Sequence, residues 1–145
     1  MKKLAAIVMA LFLFASGVLA NVSEKILTSF SKAFPSAENI KWTEDRKGYF
    51  VGFTQFGILT KVAYNHRGNF QYALRYYKVE DLPISILLDV RQRFETEKIF
   101  AVTEVSTPED VEYHIKLEGA KNIYGISVTS WGDISIEEQF KRTDL

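Results

Sequence analysis

The residues of this 145-residue chain whose types could do acid–base chemistry are four pairs of adjacent carboxylates, Glu44/Asp45, Glu80/Asp81, Glu109/Asp110 and Glu137/Glu138, and two histidines, His66 and His114. Their spacing argues against a site. Neighbours on a strand point to opposite faces, and acids in loops are ordinarily solvated. Covalent catalysis has no thiol, because the chain has no cysteine, and its serines occur in no Gly-x-Ser-x-Gly context. Glu112 and His114 share a strand parity, but His66 is the only other histidine, short of the three or four ligands a zinc site uses. Glycine-rich phosphate cradles are absent. The chain reads as a non-enzyme with no cofactor and no metal.

The other chemistry on offer is binding. Phe50 and Tyr77, with the cations Lys61, Arg75 and Lys116 and the polar Gln71 and His114, mix aromatic anchors and charge as protein-binding patches do. They make one patch only if the strands carrying them belong to one sheet face. Phe56 and Trp131, at hairpin tips, would frame it. Trp42, on the first strand, reads as core.

The elements that would position these residues are legible. Val22, Ile26, Phe30 and Ala33, widened by Leu27 and Phe34, recur at helical spacing, and Pro35 ends the run. Strand-like stretches follow at Asn39 to Asp45, Gly48 to Gln55, Ile58 to Asn65 and Asn69 to Lys78, with glycine at each break. The order then recurs: Pro83 opens a helix with Ile86, Leu87, Val90 and Phe94 on one face. Strands follow at Lys98 to Val105, Val111 to Glu118, Lys121 to Thr129 and Asp133 to Phe140.

A shift of sixty-four positions lays the second half over the first, matching Tyr49, Val51 and Phe53 to Tyr113, Ile115 and Leu117, and Val62, Gly68 and Phe70 to Ile126, Gly132 and Ile134. The fold class is therefore α+β, two tandem α-β-β-β-β repeats (about 21–79 and 80–145) forming an antiparallel sheet with two helices on one face. Hairpin-length gaps make the neighbours antiparallel, and two helices leave the other face open. Alternation in Val111 to Glu118 turns Val111, Tyr113, Ile115 and Leu117 toward the helices. Carried back by the repeat, it puts Tyr49, Val51, Phe53, Val62, Tyr64, Phe70, Tyr72 and Leu74 inside, and Phe50, Lys61, Ala63, Gln71, Arg75 and Tyr77 on the open face. Glu138 falls opposite Leu74 in that match, which predicts that the last strand frays, as does the charged tail from Lys141.

Lys2 and Lys3, an apolar run from Leu4 to Leu19 and the small residues closing on Ala20 predict a signal peptide cleaved after Ala20, with no membrane span in the mature form. Taking 20 residues from 145 leaves 125, one domain (21–145) whose repeats must share a core. Losing two lysines takes 18 cations against 18 acids to 16 against 18, a balance with no pull toward nucleic acid or an anionic membrane. Without disulfides, stability rests on packing, for which eleven Phe and seven Tyr supply apolar surface.

Phe34-Pro35-Ser36-Ala37 running into Ile40-Lys41-Trp42, then Tyr49 to Phe53, Lys61-Val62-Ala63-Tyr64-Asn65 and Gly68, with Leu82-Pro83 opening the second half, resembles the PepSY-like family of exported bacterial proteins. That family is similar in fold to beta-lactamase inhibitory proteins. The second copy departs from the pattern: Phe94-Glu95-Thr96-Glu97 lacks the proline, and Val102 stands where Trp42 stands. The resemblance implies two helix-plus-four-strand units whose sheet presents a concave surface to a protein partner, with no enzymatic activity. The expected function is a periplasmic or secreted module that binds an unidentified protein through the open sheet face, an inhibitor being one form of it. The alternative is a carrier of a small ligand or peptide, using a helix–sheet pocket or a sheet edge. Nothing in the sequence names the partner or requires a dimer.

Overall fold

The computed structural model describes residues 22–143. The expected signal peptide, residues 1–20, lies outside the described residues. The first helix, α1 (Glu24–Ala33), starts where the Ser23 hydroxyl accepts from the Ile26 N–H and carries Glu24 in its first turn and Lys32 in its last, each complementing the helix dipole. It ends at Phe34, whose N–H donates to the Phe30 carbonyl just before Pro35. Four strands follow: β1 (Glu38–Glu44), β2 (Gly48–Gln55), β3 (Ile58–Asn65) and β4 (Phe70–Tyr77). A single 3-10 turn at Val79–Asp81 leads to α2 (Ile84–Arg93), entered through Pro83 and closed at Phe94 in the same way as α1. The second set is β5 (Lys98–Ser106), β6 (Val111–Glu118), β7 (Asn122–Thr129) and β8 (Ile134–Lys141).

The eight strands form one antiparallel sheet in sequence order, β1 to β8. Both helices lie on one face of it. α1 buries Ile26 and Phe30 against Trp42, Val51, Phe53, Val62 and Tyr64, while α2 buries Ile86 and Val90 against Ile99, Val102, Tyr113, Ile115, Leu117, Ile126 and Val128. The Phe30 ring has no solvent exposure and meets Trp42 and Phe53 edge-on at 5.3 and 5.1 Å, a burial worth about 1.5–3 kcal/mol. The expectation of a shared core is corrected here. Each repeat fills its own cluster, and what the two share is the sheet, through the β4–β5 pairing.

The repeat is not uniform in length. Trp42 and Val51 pair across β1–β2, and their counterparts Val102 and Ile115 pair across β5–β6. The second hairpin is therefore four residues longer, and its connection is closed where the Thr107 N–H donates to the Asp110 carbonyl and the Thr107 hydroxyl accepts from the Asp110 N–H. For this reason helix and first strand repeat at sixty, whereas the remaining strands repeat at sixty-four.

Bulges in the last strand of each repeat decide which residues meet. In β4, Tyr64 pairs with Phe70 but Ala63 pairs with Tyr72, so Gln71 is an extra residue. One extra residue exchanges the faces of everything after it. Ala73, Arg75 and Tyr77 consequently turn to the helix side, where Ala73 and Tyr77 pack on the two cores, and Tyr72, Leu74 and Tyr76 turn to the open side. In β8 the shift falls at Glu137, between Ile136 and Glu138. Glu138 and Leu74 thus both belong to the open face, and their mismatch is no sign of fraying. Pairing continues to Lys141, opposite Asn122, and the Arg142 N–H still donates to the Lys121 carbonyl.

Candidate functional site

The face without helices, among the described residues, carries the candidate site. In the first repeat, Trp42, Val51, Phe53 and Val62 point to the core, so their neighbours Lys41, Thr43, Phe50, Gly52, Thr54 and Lys61 point away from it. With Asn39, Leu59, Tyr72 and Leu74 they line a hollow of about 560 Å³. All of these residues belong to β1–β4, so the hollow has one wall, a sheet, and is a surface depression. Its floor is deepened at Gly52, where a Cβ would have nothing within 4 Å.

Lys41, Gly52, Lys61 and Leu74 form one row across four strands, each directly opposite the next. Phe50, Ala63 and Tyr72 form a second row, in which the two rings cover the buried alanine. The Lys61 ammonium sits 5.5 Å over the Tyr76 ring. Neither Lys41 nor Lys61 has an ion-pair partner among the described residues.

The second repeat differs on the same face. His114 lies between two carboxylates, with Nε2 3.4 Å from Glu112 and Nδ1 3.4 Å from Glu137. Lys116 is bound by Glu138. Thr103 and Ser127 flank His114 in its row, which makes this row polar where its counterpart in the first repeat carries Phe50, Ala63 and Tyr72.

Of the residues the sequence assigns to the patch, Phe50, Lys61, His114 and Lys116 lie on the open face, the first two in the hollow and the other two in the second repeat. Arg75 and Tyr77 do not: the β4 bulge turns them to the helix side. Gln71 is the extra residue of that bulge, its amide donating to the carbonyls of Asn69 and Phe70. Tyr72 and Leu74, expected inside, take their place on the open side. Phe56 and Trp131 are 83% and 85% exposed, but the β2–β3 and β7–β8 turns lie at opposite ends of the sheet, so the two do not frame one patch. Trp42 is buried as expected, and its indole N–H has no acceptor among the described residues.

Displaced to the helix side, Arg75 and Tyr77 build a polar seam between the repeats. The buried Glu104 carboxylate, 7% exposed, accepts from the Tyr77 hydroxyl at 2.6 Å and from the Ser106 hydroxyl at 3.0 Å. Arg75 approaches it at 3.9 Å and lies over the Tyr77 ring at 5.0 Å. Burial, and then the bond and the charge of Glu104, hold the Tyr77 phenol well above its ordinary range; burial raises Tyr113 as well. The Glu104 carboxylate is answered internally by two hydroxyls and faced by Arg75, which marks the seam as a fastening between repeats.

Solved structures share this architecture. A BLIP-like protein from Bacteroides fragilis superposes with a TM-score of 0.65 at 16% identity, over 85% of this chain and 88% of that one. The chain has a BLIP-like fold. Two DUF2874 family proteins agree: one from Bacteroides uniformis with a TM-score of 0.64 at 18% identity, over 83% and 89% of the two chains, and one from Bacteroides ovatus with 0.64 at 19%, over 90% and 92%. No family model matches the sequence, and no curated protein matches it significantly. At these identities the likeness fixes the BLIP-like fold and leaves the open face to be read from its own residues.

Proposed function

We propose that this chain is a non-enzymatic, exported binding module that engages another protein through the open face of its sheet, centred on the first repeat. The observation that carries the reading is the hollow over β1–β4, where Phe50, Leu59, Tyr72 and Leu74 present apolar surface beside two uncompensated lysines. Apolar anchors with a polar margin are the usual make-up of a binding patch. Export rests on the leader read from the sequence, and a structurally similar Bacteroides eggerthii protein, 20% identical with a TM-score of 0.63, is provisionally described as periplasmic. The BLIP-like fold makes inhibition of an exported enzyme the form of binding to test first. The carrier alternative loses its helix–sheet pocket in the first repeat, because the rings of Phe30, Phe34 and Phe53 fill that space at centroid distances of 4.7–5.3 Å.

The test immobilises the mature protein and compares what it captures from the envelope and secreted fractions of its own cells with what a Phe50→Ala/Tyr72→Ala/Leu74→Ala variant captures. A protein held by the wild type and lost by the variant is the expected result. Equal capture by both moves the site off this face, and capture by neither counts against a protein partner.

A further inference from the structure

The two repeats place the same pair of residue types, lysine and glycine, opposite each other on the open face, but in exchanged order. In the first repeat the row runs Lys41, Gly52, Lys61, Leu74; in the second it runs Ala101, Lys116, Gly125, Glu138. Gly52 corresponds to Lys116, Lys61 to Gly125 and Leu74 to Glu138. The second row is complete in itself. Lys116 and Glu138 meet across the glycine, and a Cβ on Gly125 would lie 2.8 Å from the Lys116 ammonium and 3.0 Å from the Glu138 carboxylate. The glycine leaves the space, and an ion pair fills it.

The first row has the glycine and a second lysine but not the acid. Around a Cβ on Gly52 there is nothing within 4 Å, and leucine stands where the second repeat has Glu138. Strands about 4.8 Å apart set the Lys41 and Lys61 backbones roughly 10 Å apart with the glycine between them, a span both flexible side chains can close on one anion. Two like charges rooted on either side of the glycine without a counter-charge, Lys61 swinging in from its place over the Tyr76 ring, form a site complementary to a carboxylate.

Resting on the binding role proposed above, we propose that the hollow over Gly52 seats a carboxylate side chain on a protruding loop of the partner protein, bound between Lys41 and Lys61 where the second repeat uses its own Glu138. The surroundings define the rest of that loop. Phe50, Leu59, Tyr72 and Leu74 flank the lysines, so the acid is accompanied by a large apolar residue. Because the hollow is walled by one sheet face, it admits a convex segment of protein. The partner is thus recognised by an acidic-plus-apolar loop.

A library of disulfide-constrained random loops, displayed on phage and selected against residues 21–145, tests this while the partner itself is still unidentified. Selected loops should carry Asp or Glu beside a large apolar residue, and changing that acid to its amide should weaken binding at least about tenfold, as should Lys41→Gln or Lys61→Gln. Affinity should fall as salt rises. Leu74→Glu, which supplies the first repeat with the acid of the second, should weaken binding by a similar factor at unchanged melting temperature. Loops without an acid, or full affinity in the lysine and Leu74→Glu variants, would overturn the carboxylate seat. If such loops still lose binding in Phe50→Ala or Tyr72→Ala, the open-face reading stands and only the seat fails; indifference to those variants as well, or no selectable loop, overturns both.

Discussion

Tyr77→Phe is the change whose consequences the structure defines most closely. It removes one hydroxyl, the shorter of the two hydroxyl donors on the Glu104 carboxylate, and leaves the ring and its packing against the second core in place. Glu104 is 7% exposed, so water replaces the lost donor poorly. A hydrogen bond to a charged, buried acceptor contributes about 1.5–3 kcal/mol, which puts the loss near 2 kcal/mol at pH 7. With an unfolding entropy of about 2.1 cal/mol/K per residue over roughly 120 residues, that corresponds to a fall of about 8 °C in Tm. Ser106→Ala removes the other hydroxyl donor from the same carboxylate, so the double variant should depart from additivity.

The same contact sets a dependence on alkaline pH. The Tyr77 phenol is raised above the unfolded value of 10.0, by burial first and by Glu104 next. Between pH 10 and its folded pKa the unfolded chain has released this proton and the native chain keeps it, so stability falls as pH rises. The slope is at most about 1.4 kcal/mol per pH unit for one tyrosine, less where solvent reaches the ring. Tyr64 and Tyr113, both raised by burial, add to it. Urea denaturation from pH 7 to 11 in wild type and Tyr77→Phe measures both effects. A loss under 0.5 kcal/mol at pH 7, together with an unchanged slope above pH 10, would refute the assignment of Glu104 and Tyr77 as a buried fastening.

Two further changes probe the frame. Phe56 occupies the β2–β3 turn at φ 52, a left-handed conformation that asparagine adopts more easily than phenylalanine, and its ring is 83% exposed. Phe56→Asn should therefore stabilise the protein by about 0.5–1 kcal/mol in thermal unfolding, and destabilisation would show that the ring has a folded-state contact after all. Gly48, at φ 149, has no room for a side chain, since a Cβ would overlap the Tyr64 carbonyl and the Asn65 backbone. Gly48→Ala should cost more than about 2 kcal/mol and lower the urea midpoint, because both the conformation and the β2–β3 pairing oppose it.

Most of the architecture is legible in the sequence because it follows from periodicity. The helical stripe of Ile26 and Phe30, the alternation of Val51 with Phe53 and of Ile115 with Leu117, and the glycines at the turns each specify an element locally. The site is only half legible, and the reason is a bulge. One extra residue at Gln71 reverses the faces of β4 from Tyr72 onward, and no pattern in Phe70 to Tyr77 announces it, since aromatic residues occur at both parities. Reading through the bulge gives Arg75 and Tyr77 to the open face and hides Tyr72 and Leu74. Lys41 and Gly52 are within reach of the sequence: they alternate with Trp42, Val51 and Phe53, and only the row they form with Lys61 shows their relation.

The comparison of repeats also separates what the fold needs from what it leaves free. Positions facing the helices keep their character between copies: Tyr49 and Tyr113, Val51 and Ile115, Phe53 and Leu117, Val62 and Ile126 are all apolar or aromatic, because each helix must be covered. Positions on the open face have no such duty, and there the copies diverge most. Phe50 stands against His114, Leu74 against Glu138, and Lys61 against Gly125. Divergence alone would follow from relaxed packing. What packing does not explain is the direction taken by the first copy, whose open face gathers Phe50, Tyr72 and Leu74 beside two lysines that have no acid partner among the described residues. Exposed apolar surface and uncompensated charge both cost solubility or stability in an isolated chain, and the second copy shows that the same backbone can satisfy its lysine internally. The difference is accounted for if the first copy's face is completed by another molecule.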